Sequence, residues 1–230
     1  MNGISPEHTK RLFWAGRYTE RAFTMLLAYF EVSDQMKAGN PGAYRVFCEK
    51  AGIQDIYGSP EEFLRRFALD PDDRVSVYGN LRRAHRCALQ AGSEMGNYAA
   101  AYLQMALDCL DAASRGETGA DLQQVIDYLY AFWGCVDDRV DKETGRNLMK
   151  CGKYMERLGL YLRMDAPEQA LEKEYSRFLN RLGRCGLPYD RERAAVLETA
   201  ASQEHGWQRH RQEAWEALSG LLGEIQEAEP

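Results

Sequence analysis

Two constellations in this 230-residue chain combine residue types and spacings that chemistry can use. The first is Asp137-Asp138-Arg139-Val140-Asp141, a D-D-x-x-D run. On a helix its carboxylates sit about one turn apart, and hard oxygen ligands of this kind can share a Mg²⁺ bound to a diphosphate. No second Asn/Asp-x-x-x-Ser/Thr-x-x-x-Glu motif accompanies it. The plain reading of Asp137, Asp138 and Asp141 is an acidic helix end running into the next N-cap. A Mg-dependent enzyme acting on a diphosphate is the alternative. The second constellation occurs twice. Leu12-Phe13-Trp14-Ala15-Gly16-Arg17-Tyr18-Thr19-Glu20-Arg21 is matched, 136 positions later, by Leu148-Met149-Lys150-Cys151-Gly152-Lys153-Tyr154-Met155-Glu156-Arg157. The shared core is G-[R/K]-Y-x-E-R, an internal repeat of the sort that exposes architecture.

Helical geometry sorts the repeat into two kinds of residue. At 100° per residue, Leu12, Gly16, Tyr18, Ala22, Phe23, Met25, Leu26, Leu27, Tyr29 and Phe30 cover a very wide apolar arc, which places the helix at the centre of a bundle. Arg17, Glu20, Arg21, Thr24 and Glu31 share the narrow remainder, and Lys153, Glu156 and Arg157 do so in the second copy. A glycine inside a helix costs about 1 kcal/mol relative to alanine. Gly16 and Gly152 are therefore expected to admit a neighbouring helix, with Tyr18 and Tyr154 packing beside them, and the two repeat helices are expected to form a pseudo-symmetric pair. For the charges, the plain reading is an exposed ion pair at i,i+3 that stabilises by a few tenths of a kcal/mol. The functional reading makes Arg17, Glu20, Arg21, Lys153, Glu156 and Arg157 one polar seam able to hold an anionic group or a partner's carboxylate. On that reading, charge reversal at Glu20 and Glu156 abolishes partner binding and leaves the fold intact.

Around these residues the elements read as helices throughout. No stretch alternates long enough for a strand, and no proline falls between Asp72 and Ala166. Ser5-Pro6-Glu7 opens a helix to about Met36, Asn40-Pro41 a short one ending near Gly52, and Ser59-Pro60-Glu61-Glu62 another to about Leu69. Two long helices follow, Val75–Gly92 and Ser93–Ala113, or a single one bent near Gly92 and Gly96. Residues 114–119 are a loop, and helices are predicted over 120–140, 143–164, 167–184 and 190–226. The fold class is all-α: a bundle of long helices in a single domain over 1–230.

Composition bounds the function. Hydrophobic residues at 45% and aromatics at 11% supply a sizeable core, and a net charge of −6 argues against a general nucleic-acid or anionic-membrane binder. The apolar runs are too short to span a bilayer. The start, Met1-Asn2-Gly3-Ile4, shows no signal peptide, so a cytoplasmic protein is expected. Cys48, Cys87, Cys109, Cys135, Cys151 and Cys185 lie at least sixteen positions apart, which excludes C-x-x-C chemistry and suits reduced thiols packed as small hydrophobes. His205 and His210 are five apart rather than four, and no H-E-x-x-H or E-x-x-H occurs, so no metal site is assigned. No glycine-rich phosphate loop, G-x-S-x-G elbow or paired nucleophile and base is present, and no catalytic residue is assigned. In the last helix Trp207, Ala214, Leu218, Leu221 and Ile225 form an apolar stripe, either core or a surface for a homodimer.

Three ordered segments carry a family resemblance. Leu12 to Leu27 is similar to an L-Y-W-x-G-R-Y-x-E-R-A opening. Asp70-Pro71-Asp72 through Ser76, Leu81-Arg82, Ala84, Arg86 and Ser93-Glu94-Met95 form the second segment, and Leu148 to Arg163 the third. Together they resemble the alpha-E domain family, bacterial helical proteins of unknown function. Members are usually longer, and Gly145 and Arg146 fall near a position where they usually carry tryptophan. The resemblance implies association with ATP-grasp-type amide ligases and transglutaminase-like proteins, and hence a non-enzymatic accessory or binding role in peptide or amide modification, without a cofactor. It implies no catalytic residue.

Overall fold

Ser5 caps the longest helix: its hydroxyl accepts from the His8 N–H at 3.2 Å and Pro6 occupies the first turn. This α1 runs Pro6–Lys37 in a computed structural model that describes residues 4–117, 121–223 and 225. Ten more helices follow among the described residues, with no strand: α2 Ala43–Ala51, α3 Pro60–Arg66, α4 Val77–Ala91, α5 Asn97–Ser114, α6 Leu122–Arg139, α7 Glu143–Arg163, α8 Glu168–Cys185, α9 Arg191–Ser202, α10 Gly206–Arg209 and α11 Arg211–Gly220. The all-α class holds. Thr118 and Gly119 of the 114–119 loop, the start of the helix expected from 120, and the end of that expected to 226 lie outside the described residues.

Of the two readings of Val75 to Ala113, the two-helix one holds: α4 and α5 are separate helices and not one bent helix. Gly92 and Gly96 take φ of +55° and +77°, a 3-10 turn lies between them, and α5 folds back to touch α4. The long C-terminal helix is three pieces. His205 sits at φ +55°, and Gly206 presses so closely on the Ala200 carbonyl, 3.1 Å from a hypothetical Cβ to the carbonyl carbon, that only glycine fits. Glu168 braces this corner by accepting from the Trp207 N–H at 3.2 Å.

At the centre, α1 and α7 run side by side and parallel. Leu12 lies against Gly145, Gly16 against Met149, and Arg21 against Glu156, so early residues meet early and late meet late. The glycines set the spacing: a Cβ on Gly16 would lie 2.8 Å from the Met149 carbonyl carbon, and one on Gly152 would lie 3.1 Å from that of Phe13. Met149 is Phe13 displaced by 136 positions, as Gly152 is Gly16. The contacts are thus reciprocal, as a pseudo-two-fold axis running between two parallel helices requires. Each central helix carries an antiparallel flank. α4 lies on α1, bringing Arg83 over the Tyr18 ring at 4.5 Å. α8 lies on α7, where Arg181 donates to Asn147 at 2.8 Å. An aromatic cluster of Tyr29, Tyr44, Phe47, Tyr57, Phe63 and Phe67 fastens α2 and α3 to the second half of α1, its Phe63 and Phe67 rings stacked at 4.9 Å. That clamp fixes the turn after α2, Ala51-Gly52-Ile53, beside the central pair. Residues Trp207, Ala214, Leu218 and Leu221 are buried within the chain against the rest of the core. Four of the stripe's five residues are thus interior, and Ile225 is half-buried against the same core.

Candidate functional site

The repeat's two carboxylates do not face water. Glu20 and Glu156 are 0% and 3% exposed, buried where α1 and α7 cross. Each carboxylate is met by the other helix. Glu156 accepts from Arg17 Nε at 2.8 Å and from Arg21 Nε at 2.6 Å and Nη2 at 3.1 Å, while Arg157 Nε donates to Glu20 Oε1 at 2.5 Å. The exposed i,i+3 pair expected within one helix is therefore replaced by buried pairs between helices. A helical wheel cannot anticipate this, because the opposite helix supplies the complementary charge. The expectation that charge reversal at Glu20 or Glu156 would spare the fold is corrected for the same reason: it would bury like charges among arginines or leave them unpaired.

The two copies differ in their electrostatic surroundings. Glu156 is held down to about 2: burial pushes its pKa up, and the Coulombic pull and hydrogen bonds of Arg21 and Arg17 outweigh that. Glu20 goes the other way. Burial raises it, and Arg157, Lys153 and the Thr24 hydroxyl, 3.0 Å from Oε1, only partly offset the rise. Its Oε2 is buried without a hydrogen-bond partner. The difference follows from one substitution within the repeat. Where Arg17 reaches across to Glu156, its counterpart Lys153 instead places its ammonium 4.0 Å over the Trp133 ring. Burial brings Lys153 down to about 8, against the pull of Glu20. Arg157 also reaches Glu174 on α8, Nη1 to Oε2 at 3.8 Å, and Arg177 closes that corner at 2.8 Å. Of the two packing tyrosines, Tyr18 is fully buried beside Trp14 and under Arg83, whereas Tyr154 is half-exposed, facing Lys153 and Arg177.

On its Arg17–Arg21 side the seam opens into a cavity of about 190 Å³. Arg17, Arg21 and Glu156 form one wall, and Arg163 from the end of α7 forms another. Met25, Ile53, Met155, Trp215 and Leu218 make most of the remainder apolar, Ser219 beside them donates its hydroxyl to the Trp215 carbonyl at 2.8 Å, and Val75 lies at the rim. Arg163 was not found from sequence, although it stands seven residues after Glu156 and so shares its face. Its counterpart in the first copy is Leu27, so the repeat gave no signal. Its Nη1 donates to the Ala51 carbonyl at 2.6 Å, capping the exit of α2, and its guanidinium lies 4.6 Å over the Trp215 ring. Burial lowers its pKa, Glu156 opposes, and Arg21 and Arg17 lower it further. Three guanidiniums thus face one carboxylate across this space.

The D-D-x-x-D aspartates do not converge. Asp137 pairs with Lys150, Asp138 with Arg139 at 2.8 Å, and the Asp141 carbonyl accepts from Arg146 at 3.1 Å. Among the described residues no three His, Cys, Asp or Glu side chains are grouped to hold a metal ion. His205 and His210 each face a different glutamate, Glu168 and Glu213. No helix among the described residues is long and apolar enough to cross a membrane.

No curated protein and no solved structure matches the chain in comparison. A family profile does match, over residues 7–214, for Alpha-E, described as a predicted alpha-helical domain with a conserved ER motif. Three E-R dipeptides occur in the chain, at 20–21, 156–157 and 192–193. The first two are those that meet across the central helix pair. With the match spanning residues 7–214, which include both repeat helices, this chain belongs to the Alpha-E family.

Proposed function

We propose that the chain is a non-enzymatic helical accessory protein that binds a protein partner, an ATP-grasp-type amide ligase or a transglutaminase-like protein, by seating an acidic group of that partner or of its peptide substrate in the arginine-lined cavity. The observation that carries this reading is the charge imbalance where the seam opens: Arg17, Arg21 and Arg163 against Glu156 alone. Half-buried guanidinium forks are well suited to a carboxylate. Most of the seam is spent holding α1 to α7, so binding is assigned to this opening and not to the six repeat charges together. The choice of partner class follows from the family resemblance. No observation favours the diphosphate alternative. The test is affinity purification of the tagged chain from its native host beside its Arg163→Met variant, with mass spectrometry of what accompanies each. Near-stoichiometric recovery of such a ligase or transglutaminase-like protein with the wild type, and its loss with the variant, supports the reading. A partner retained equally by both overturns the assignment to the cavity, and recovery of neither protein class overturns the partnership.

A further inference from the structure

The cavity's walls say more about its occupant than its charge does. A phosphate or sulfate is best served by polar donors on all sides, whereas here one end is cationic and the other is built from Met25, Ile53, Met155, Trp215 and Leu218. The cationic end is not used up. Each guanidinium carries five N–H donors. Arg17 spends Nε and Nη2 on Glu156, and Arg163 spends Nη1 on the Ala51 carbonyl. The size is also informative. A cavity of about 150 Å³ lined by apolar side chains admits benzene, so about 190 Å³ holds a carboxylate together with a short branched side chain. Trp215 and the Arg163 guanidinium stacked on it form the wall where the two ends join.

We propose that the cavity binds an α-carboxylate carried next to an apolar side chain, the carboxylate against Arg17 and Arg163 and the side chain against Met25, Ile53, Trp215 and Leu218. This rests on the accessory-binding reading and supplies its ligand chemistry. Such a group occurs at the C-terminus of a peptide and in a free acyl-amino acid. Both present one charge and one hydrophobic branch from a single carbon, which is the geometry of the cavity. The Val75 rim, 40% exposed, leaves a way in from solvent.

The test is calorimetric titration of the full chain with N-acetyl-leucine, N-acetyl-leucinamide, N-acetyl-aspartate, inorganic phosphate and the tripeptide Gly-Gly-Leu. Saturable binding of N-acetyl-leucine is expected, at least tenfold weaker for the amide, the aspartate derivative and phosphate. Binding by the tripeptide as well identifies a peptide terminus, and binding by N-acetyl-leucine alone identifies a small acid. Arg163→Met should weaken binding at least tenfold. Because that variant also removes the cap on α2, Val75→Glu is the second: it places a tethered carboxylate at an exposed rim position and should compete the ligand out while circular dichroism and the melting temperature stay near wild type. Absence of N-acetyl-leucine binding, equal binding of its amide or of phosphate, or full binding by both variants overturns the proposal. The two readings fail separately. A partner captured in an Arg163-dependent way without N-acetyl-leucine binding sinks this inference alone. N-acetyl-leucine binding with no partner recovered sinks the partnership alone.

Discussion

Glu156→Gln isolates what the seam contributes to stability. The substitution keeps the shape and removes the charge that Arg17 and Arg21 share. The Glu156 carboxyl lies at about 2 in the fold against an ordinary 4.5. At about 1.4 kcal/mol per pH unit, that gap corresponds to roughly 3 kcal/mol of stability at neutral pH. Breaking a buried pair by removing one partner costs a similar 3–5 kcal/mol in general. Because the folded value is the lower one, the contribution is complete above pH 4.5 and is lost as pH falls toward 2. Urea denaturation at pH 7 should show the variant's midpoint reduced by about 1 M or more, taking a slope of about 1–3 kcal/mol per M. The difference between wild type and variant should shrink as pH is lowered from 4.5 to 3. Glu20→Gln is the internal control. Burial raises the Glu20 carboxyl instead, and one of its oxygens has no hydrogen-bond partner. Neutralising it should therefore cost clearly less than neutralising Glu156. Its own titration runs the other way, gaining stability as pH falls. A Glu156→Gln cost below about 1 kcal/mol, a gap independent of pH, or a Glu20→Gln cost that exceeds it would refute the electrostatic account.

Three further outcomes are expected. Gly16→Ala and Gly152→Ala each push a methyl into the facing backbone and should destabilise by about 1–3 kcal/mol or more, whereas Gly183→Ala, exposed on α8 with open space beside it, should be neutral or stabilising by up to about 1 kcal/mol; denaturation midpoints compare them. Lys153 lies at about 8 in the fold against an ordinary 10.5, so it binds a proton less readily folded than unfolded and stability should rise with pH above 8; the difference between wild type and Lys153→Met between pH 8 and 9 reads this, since the thiols' own titration is common to both. Burial pushes the Cys48 and Cys87 thiols to about 11, and neither should be alkylated by iodoacetamide in the native protein at pH 8, as peptide mass mapping would show.

The helices were legible because their signals are local. Ser5-Pro6 and Ser59-Pro60 cap α1 and α3 through their hydroxyls, and Gly52 ends α2 in the left-handed conformation, as such residues do wherever they stand. The break at His205 was not, since it depends on Gly206 touching Ala200 and on Glu168 arriving from another helix. The repeat showed which residues matter at the centre but misjudged their surroundings. Arg17, Glu20 and Arg21 form the polar arc of a single helix, and only the parallel partner turns that arc into an interior. Arg163 and Trp215, which give the cavity its third charge and its apolar wall, stand outside the repeat, and their roles come from tertiary placement alone.

The parallel pairing of α1 with α7 has a consequence for how the chain is made. The two helices are joined across 136 positions, so α1 emerges with its widest apolar face and a buried-type carboxylate long before its partner exists. At about 5–20 residues per second of synthesis, the gap lasts roughly 7 to 27 s. During that interval α4 can cover one side of α1 as an antiparallel hairpin, but the glycine-lined side and Glu20 stay open until Arg157 is made. Closing this centre is thus a late, long-range event, and the nascent chain is most exposed to aggregation in the stretch of synthesis between the two copies of its repeat.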